Sequence, residues 1–289
     1  MASLRQIRRR IRSIQNTKQI MRVMQLVSAS KFKRAQRRLL QGRHIVEFLD
    51  DLLARILAST TDLSHPLTIH NEHAPSALLL VTSDTGLAGS YNTNLIQLAE
   101  AELRRDVAKP PVITFLGKKG YRYFTKRGYA ARESYLDFAG RPDFAKIDAI
   151  GKQLIDRFLA GEIGSVRLLY AKFVSPTVSK PTIKQWLPIQ LVSGAADQPA
   201  SRESEEYIFE PSPARVFEDA LPRWAIASFR VAVLEAFTSE HGARMVAMKN
   251  ATDNAEELLT SLTTQRNKIR QASITKELSE IVGTAEALK

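Results

Sequence analysis

The sequence predicts a small α/β domain with a mainly parallel sheet, inserted between two very long helices that pair as an antiparallel coiled coil. Three observations carry this expectation. Residues 3–59 contain no proline and a single glycine, Gly42. Residues 223–289 are again free of proline. Between these stretches, short β-branched or aliphatic runs alternate with helical ones.

In the first stretch, Ile7, Ile11, Ile14, Met21, Met24 and Val27 or Ser28 recur in alternating steps of three and four, with Lys18 filling one slot. A seven-residue spacing of this kind gives a helix one narrow apolar seam. Carried to Ala58, at 1.5 Å per residue, such a helix would run roughly 80 Å. A domain of this size cannot bury that length, so the helix must pair with another long one or sit inside other subunits.

The partner is expected at the other end. Ser212 followed by Pro213 is a helix-start signal, a capping side chain before a proline in the first turn. Further on, Ala251, Ala255, Leu258, Leu262, Gln265, Ile269 and Ala272 step by four and three. Small alanines in a seam permit close backbone approach, and a polar Gln265 there would help to fix register. Gly242 costs about 1 kcal/mol in a helix interior relative to alanine, which marks tight packing or a bend. The two helices, of similar length, are assigned to residues 1–60 and 207–289.

The middle region, residues 75–195, has a different texture. Strands are expected at Ala77 to Ser83, Val112 to Leu116, Val166 to Phe173 and Thr182 to Leu191, the last before a polar loop from Ser193 to Glu206. Helices are expected at Asn92 to Val107, Lys118 to Lys126 and Asp143 to Ala160. Such alternation describes βαβ units and a Rossmann-like arrangement.

Charge narrows the function more than composition does. The net charge is +12, and thirteen of the 42 Lys and Arg residues precede Glu47, the first acidic residue. The rest of the chain is within one charge of neutral, so the positive field belongs to the N-terminal helix. It calls for an acidic partner: nucleic acid, lipid headgroups or acidic protein loops. With no cysteine, disulfides, thiol catalysis and thiolate metal sites are excluded. No apolar run reaches the ~18 to 20 residues of a membrane span. The N-terminus lacks a secretory signal, and the seam starting at Ile7 leaves no room for a transit peptide. A cytosolic location is expected.

No constellation of residues points to catalysis. Thr82 to Ser90 lies between a strand and a helix, as a nucleotide-binding loop would, but lacks the lysine and hydroxyl of a P-loop and the triple glycine of a dinucleotide site. Gly117-Lys118-Lys119-Gly120 is an equally weak anion signal. His65, His70 and His73, with Asp62 and Glu72, fit no helical face, and nothing resembles a nucleophile elbow. No metal, cofactor or catalytic residue is assigned. Two readings of the basic helix compete with a protein-binding one. It could bind nucleic acid through phosphate neutralisation, or its charges could simply keep a long helix soluble.

Particular residues carry a family resemblance. Asn16-Thr17-Lys18-Gln19-Ile20, Leu26 to Lys31 and Arg34-Ala35-Gln36 resemble the N-terminal helix of the γ subunits of rotary ATP synthases. Ser239-Glu240-His241, Ala243 to Asn254, Asn267-Lys268, Arg270-Gln271-Ala272 and Ile274 to Gly283 resemble that family's C-terminal signature. Thr82-Ser83-Asp84, Gly86-Leu87 and Asn92-Thr93-Asn94 resemble its inserted domain. Thr85 and Ala88 stand where the family commonly has an arginine and a cysteine-like residue, and Thr264-Gln265-Arg266 replaces a more apolar run.

The resemblance implies a non-catalytic rotor subunit on the cytoplasmic face of a bacterial plasma membrane, with α and β subunits around the helices and ε and the c ring at the inserted domain. It implies that Met24 and Arg244 lie near acidic lever loops of the β subunits, in a field supplied by Lys18, Arg22 and Lys31. Arg270, Gln271 and Thr275 match the segment that meets a β-subunit catch loop. Tyr207, Phe209 and Glu210 match the foot at the c ring and ε.

Overall fold

The computed structural model describes residues 4–60, 63–105, 110–190 and 209–286. The first helix, α1, spans Leu4–Ser59, and the last, α5, spans Pro213–Glu286. At 56 and 74 residues they are not of similar length, because α5 starts well before the seam region and runs past the stretch that α1 can cover. Pro222 lies inside α5. Ser212 acts as expected at the start: its Oγ accepts a hydrogen bond from the Arg215 amide at 3.3 Å.

The chain divides into two compact units, Ala29–Ala243 and Met1–Ser28 with Arg244–Lys289, and both long helices contribute to each.

In the larger unit the strands are β1 (Ser76–Val81), β2 (Val112–Leu116), β3 (Glu133–Tyr135), β4 (Ser165–Phe173) and β5 (Ser179–Leu187). They lie in the order β3-β2-β1-β4-β5, parallel except for the β4/β5 pair. The intervening helices are α2 (Tyr91–Arg105), α3 (Lys118–Thr125) and α4 (Phe144–Leu159). Most elements fall close to their predicted spans. Thr82 and Ser83 leave the sheet and enter the following loop, and β5 is displaced towards the N-terminus. The ends predicted at Val107 and Leu191, and the polar loop from Ser193 to Glu206, lie outside the described residues. Nothing in the sequence had announced β3, whose three residues Glu-Ser-Tyr have no apolar run.

Strand alternation divides the core in two. Ala77, Leu79 and Val81 of β1 face a cluster built with Ile147, Leu154 and Phe158 of α4, Leu53 and Ile56 of α1, and Phe217, Phe229 and Phe237 of α5. Leu78 and Leu80 face a second cluster with Leu95 and Leu103 of α2 and Phe124 of α3. A sheet covered on both faces needs apolar residues at every position, which is why β1 reads as a continuous aliphatic run. The helices are pressed close together. A Cβ on Gly151 of α4 would stand 3.1 Å from Phe229, and one on Gly42 of α1 would stand 3.1 Å from Val231.

In the smaller unit the two helices run antiparallel. Ile7 and Ile11 are buried with Leu262, and Ile14, Leu259 and Ile269 pack against them. On α1 the predicted seam holds, and the choice left open at its end falls on Ser28, which is 3% exposed against 50% for Val27. On α5 the predicted phase needs correction. Leu258 is 49% exposed, and Gln265 and Ala272 are also exposed. The inward positions are Met248, Thr252, Ala255, Leu259, Leu262, Arg266 and Ile269. Both phases step by four and three. Adjacent leucines at 258 and 259 satisfied either, and the packing against Ile7 and Ile11 of α1 takes Leu259. Gln265 therefore cannot set register from inside the seam.

Candidate subunit-contact surface

The loop that had suggested a nucleotide site is satisfied by its own neighbours. The Thr82 Oγ accepts from the Gly120 amide at 2.9 Å, and the Ser83 carbonyl accepts from the Lys119 amide at 3.0 Å. Asp84 accepts from the Lys118 amide at 3.0 Å. These are the first amides of α3, the groups an anion would have to find unsatisfied. Ser83 is fixed in turn, with its amide and hydroxyl each 3.0 Å from the Asn92 Oδ1. Gly117, at φ +106°, sits so close to the Thr82 carbonyl that a Cβ would be 2.0 Å from its oxygen. The Thr-Ser-Asp motif is thus a splice between β1, β2 and α3.

The histidines do not converge either. His65 Nδ1 accepts from the Leu67 amide at 3.0 Å, capping the short 3-10 turn Pro66–Thr68, and its ring meets Phe217 edge-on at 6.3 Å. Burial lowers its pKa, with the nearby Glu218 acting in the opposite direction. No group of His, Asp or Glu among the described residues could hold a metal ion, and Asp62 lies outside them. None of the described helices is long and apolar enough to cross a membrane.

The residues assigned to partner contacts fall into three environments. Lys18 occupies its seam slot and is bonded to Glu256 of α5 at 3.0 Å, so its charge is partly engaged within the helix pair. Arg22 is exposed, and Met24 and Lys31 are half-buried. Arg244 is only 7% exposed. Arg270, Gln271 and Thr275 lie where every residue from 270 to 284 is exposed. Tyr207 lies outside the described residues. Phe209 packs at the margin of the larger core, and Glu210 is exposed.

The structure adds a surface that periodicity alone had not singled out. Ile20, Val23, Leu26 and Val27 of α1 are all at least half exposed. Ile20, Val23 and Val27 are spaced by three and four, on the side of the helix away from Ile7, Ile11 and Ile14. Ile274, Leu278, Ile281 and Val282 of α5 are exposed as well. Reading the spacing of the exposed set as a second stripe was the available signal.

The ATP synthase family model matches residues 3–288. The ATP synthase gamma chain of Symbiobacterium thermophilum is 39% identical over 98% of this chain and 97% of its own length. The chain belongs to the ATP synthase gamma chain family. The gamma chain of Desulforamulus reducens, 39% identical over the full length of both proteins, agrees. A chain in the cryo-EM structure of the Euglena gracilis mitochondrial ATP synthase OSCP/F1/c-ring shares the fold, with a TM-score of 0.66 at 20% identity over 99% of this chain and 94% of that one. So does one from the central stalk and c-ring of the Tetrahymena thermophila enzyme, with a TM-score of 0.58 at 22% identity over 80% of this chain and 99% of that one. Membership in the gamma family replaces the nucleic-acid reading of the basic helix.

Proposed function

We propose that the chain is the turning shaft of a rotary ATP synthase and holds no active site of its own. In this reading α and β subunits surround the helix pair, while ε and the c ring engage the α/β region. The chain reaches the cytoplasmic face of the membrane only through the complex. One observation supports this most directly: α5 continues through residues 270–284 with every side chain exposed, Ile274, Leu278, Ile281 and Val282 among them. A long helix with bare apolar residues beyond its partner needs other chains to cover it. The solved relatives, a central stalk with its c-ring and an F1/c-ring assembly, are consistent with that covering.

On this reading the shaft acts by presenting a different side to each β subunit, so each catalytic site has a different preferred conformation, and turning exchanges the preferences. Met24 and Arg244 would lie near acidic lever loops of the β subunits, with Lys18, Arg22 and Lys31 supplying the local field. Arg270, Gln271 and Thr275 would meet a β-subunit catch loop, and Tyr207, Phe209 and Glu210 would form the foot. Residues 1–60 and 207–289 serve as the shaft and residues 75–195 as the inserted domain.

The test is assembly and coupling. The purified chain should hydrolyse no ATP, and should form an active ATPase with α and β subunits. Met24→Lys, which puts a cation at the lever level, should lower ATP-driven ion pumping more than assembly. ATPase activity in the isolated chain, or full pumping by the Met24→Lys complex, would count against the reading.

A further inference from the structure

The connection between β3 and α4, residues 136–143, and the first residue of α4 are tied to more of the larger unit than their length requires. Asp84 anchors one end: its carboxylate accepts from the Asp137 amide at 3.3 Å and from the Ala139 amide at 2.6 Å, besides the Lys118 amide. The Lys118 ammonium closes on the Asp137 carboxylate. Phe138 packs against Phe237 of α5 with ring centroids 6.0 Å apart. The carbonyl of Gly140 is 2.8 Å from Nε2 of His241, a ring 1% exposed on α5. Arg38 of α1 donates to the Pro142 carbonyl at 3.2 Å. Phe144 lies 5.4 Å from the guanidinium of Arg38 and also 5.4 Å from that of Arg230, which is in turn bonded to Asp148 by two nitrogens.

One short segment therefore touches the loop after β1, α1 and α5 together. Its backbone is held in an uncommon form. Asp137, Ala139 and Gly140 have φ of +69°, +48° and +65°. Left-handed conformations at residues with a Cβ are unfavourable and persist where surrounding contacts over-determine them. Here the contacts are the Asp84 carboxylate on one side and His241 on the other. The fit is close enough that a Cβ on Gly140 would stand 2.6 Å from the His241 ring. A strained, multiply anchored segment transmits displacement better than a slack one, because packed contacts have discrete arrangements and do not stretch.

We propose that residues 137–144 form a strut that locks the α/β domain to the long helices within the larger unit, with Asp84 and His241 as its two positioning residues. This rests on the shaft reading above. A domain driven at its base must pass its turning force to the helices through whatever fixes it to them, and the strut joins it to both.

The experiment uses the assembled synthase in sealed vesicles, comparing ATP hydrolysis with ion pumping measured by a membrane-potential dye. His241→Ala removes one anchor, Gly140→Ala forces the ring away, and His241→Gln keeps a donor for the Gly140 carbonyl. Ions pumped per ATP should fall at least about twofold in the first two, the scale on which single residues shift coupling, and recover in His241→Gln. Hydrogen exchange on the same complexes supplies a second readout. In Asp84→Ala the Ala139 amide should exchange about tenfold to a hundredfold faster, the loss of a charge-assisted hydrogen bond. Normal pumping in the two alanine variants, with wild-type coupling intact, overturns the strut alone. Failure of the wild-type chain itself to couple overturns the shaft reading and the strut with it.

Discussion

Arg43 of α1 and Glu235 of α5 meet at 2.5 Å, with the carboxylate side chain only 6% exposed. The same guanidinium donates to the Phe173 carbonyl at 3.2 Å, so one side chain joins both long helices to the end of β4. Arg43→Met would leave a carboxylate buried without its cation. Breaking a buried pair from one side costs about 3–5 kcal/mol. Arg43 is 32% exposed, so the lower end applies, about 3 kcal/mol. Urea unfolding should show that loss, and a change below about 1 kcal/mol would place the pair among ordinary surface bridges.

Tyr170 lies beside this pair, and its hydroxyl pKa is raised, first by burial and then by the charge of Glu235. The sign follows from linkage. The unfolded tyrosine ionises near its ordinary pKa of about 10, whereas the folded one keeps its proton to higher pH. The stabilisation is complete below about pH 10 and is lost as pH rises beyond it. Wild type should therefore lose stability relative to Tyr170→Phe by about 1.4 kcal/mol per pH unit above pH 10. Parallel urea curves for the two proteins between pH 9 and 11, taken roughly across the onset at the tyrosine pKa, would show that Tyr170 contributes nothing to the alkaline limit.

These side-chain links mark where the sequence stopped being legible. Periodicity sufficed for α1, because Ile7, Ile11 and Ile14 allow one seam only. It was ambiguous on α5, where Leu258 and Leu259 support two phases and only the partner helix chooses between them. Aliphatic runs revealed β1, β2 and β4, whose residues are covered on both faces. The same signal was silent for Glu133–Tyr135, an edge strand made by pairing with β2. The residues proposed for partner contacts were assigned by resemblance, and their burial could not be read from spacing. Arg244 and Arg270 are both arginines on α5, yet one is buried and the other exposed. The Thr-Ser-Asp motif was visible as a motif, but its role depends on amides of α3 more than thirty residues away.

Gly242 offers a test in which two effects have opposite signs. In a helix interior, glycine to alanine should stabilise by about 1 kcal/mol. Here the added Cβ would stand 2.8 Å from the carbonyl oxygen of Pro176, a backbone atom in the β4–β5 hairpin. The helix and the hairpin would have to separate, so Gly242→Ala should destabilise despite the propensity gain. Gly42→Ala is the comparison, since its Cβ meets side-chain methyls alone, Val231 at 3.1 Å and Leu234 at 3.6 Å. Thermal melts should place Gly242→Ala well below Gly42→Ala, and the reverse order would show that the hairpin yields easily.

Leu278 separates what the chain needs for its own folding from what it needs for assembly. Its side chain is 57% exposed, and its neighbours Ile274 and Ile281 are 49% and 63% exposed. Surface substitutions away from packed features usually change stability by less than about 0.5 kcal/mol. Replacing all three by glutamine, itself a good helix former, should therefore leave the melting of the isolated chain almost unchanged. If other subunits cover this end, the loss of three buried aliphatic side chains would weaken their hold, at about 1.5–3 kcal/mol for each one fully covered. Yield of the assembled ATPase should then fall steeply while the chain remains folded. Equal yields from wild type and the triple variant would mean that the exposed end of α5 stays uncovered in the complex, removing the observation that most favours a shaft.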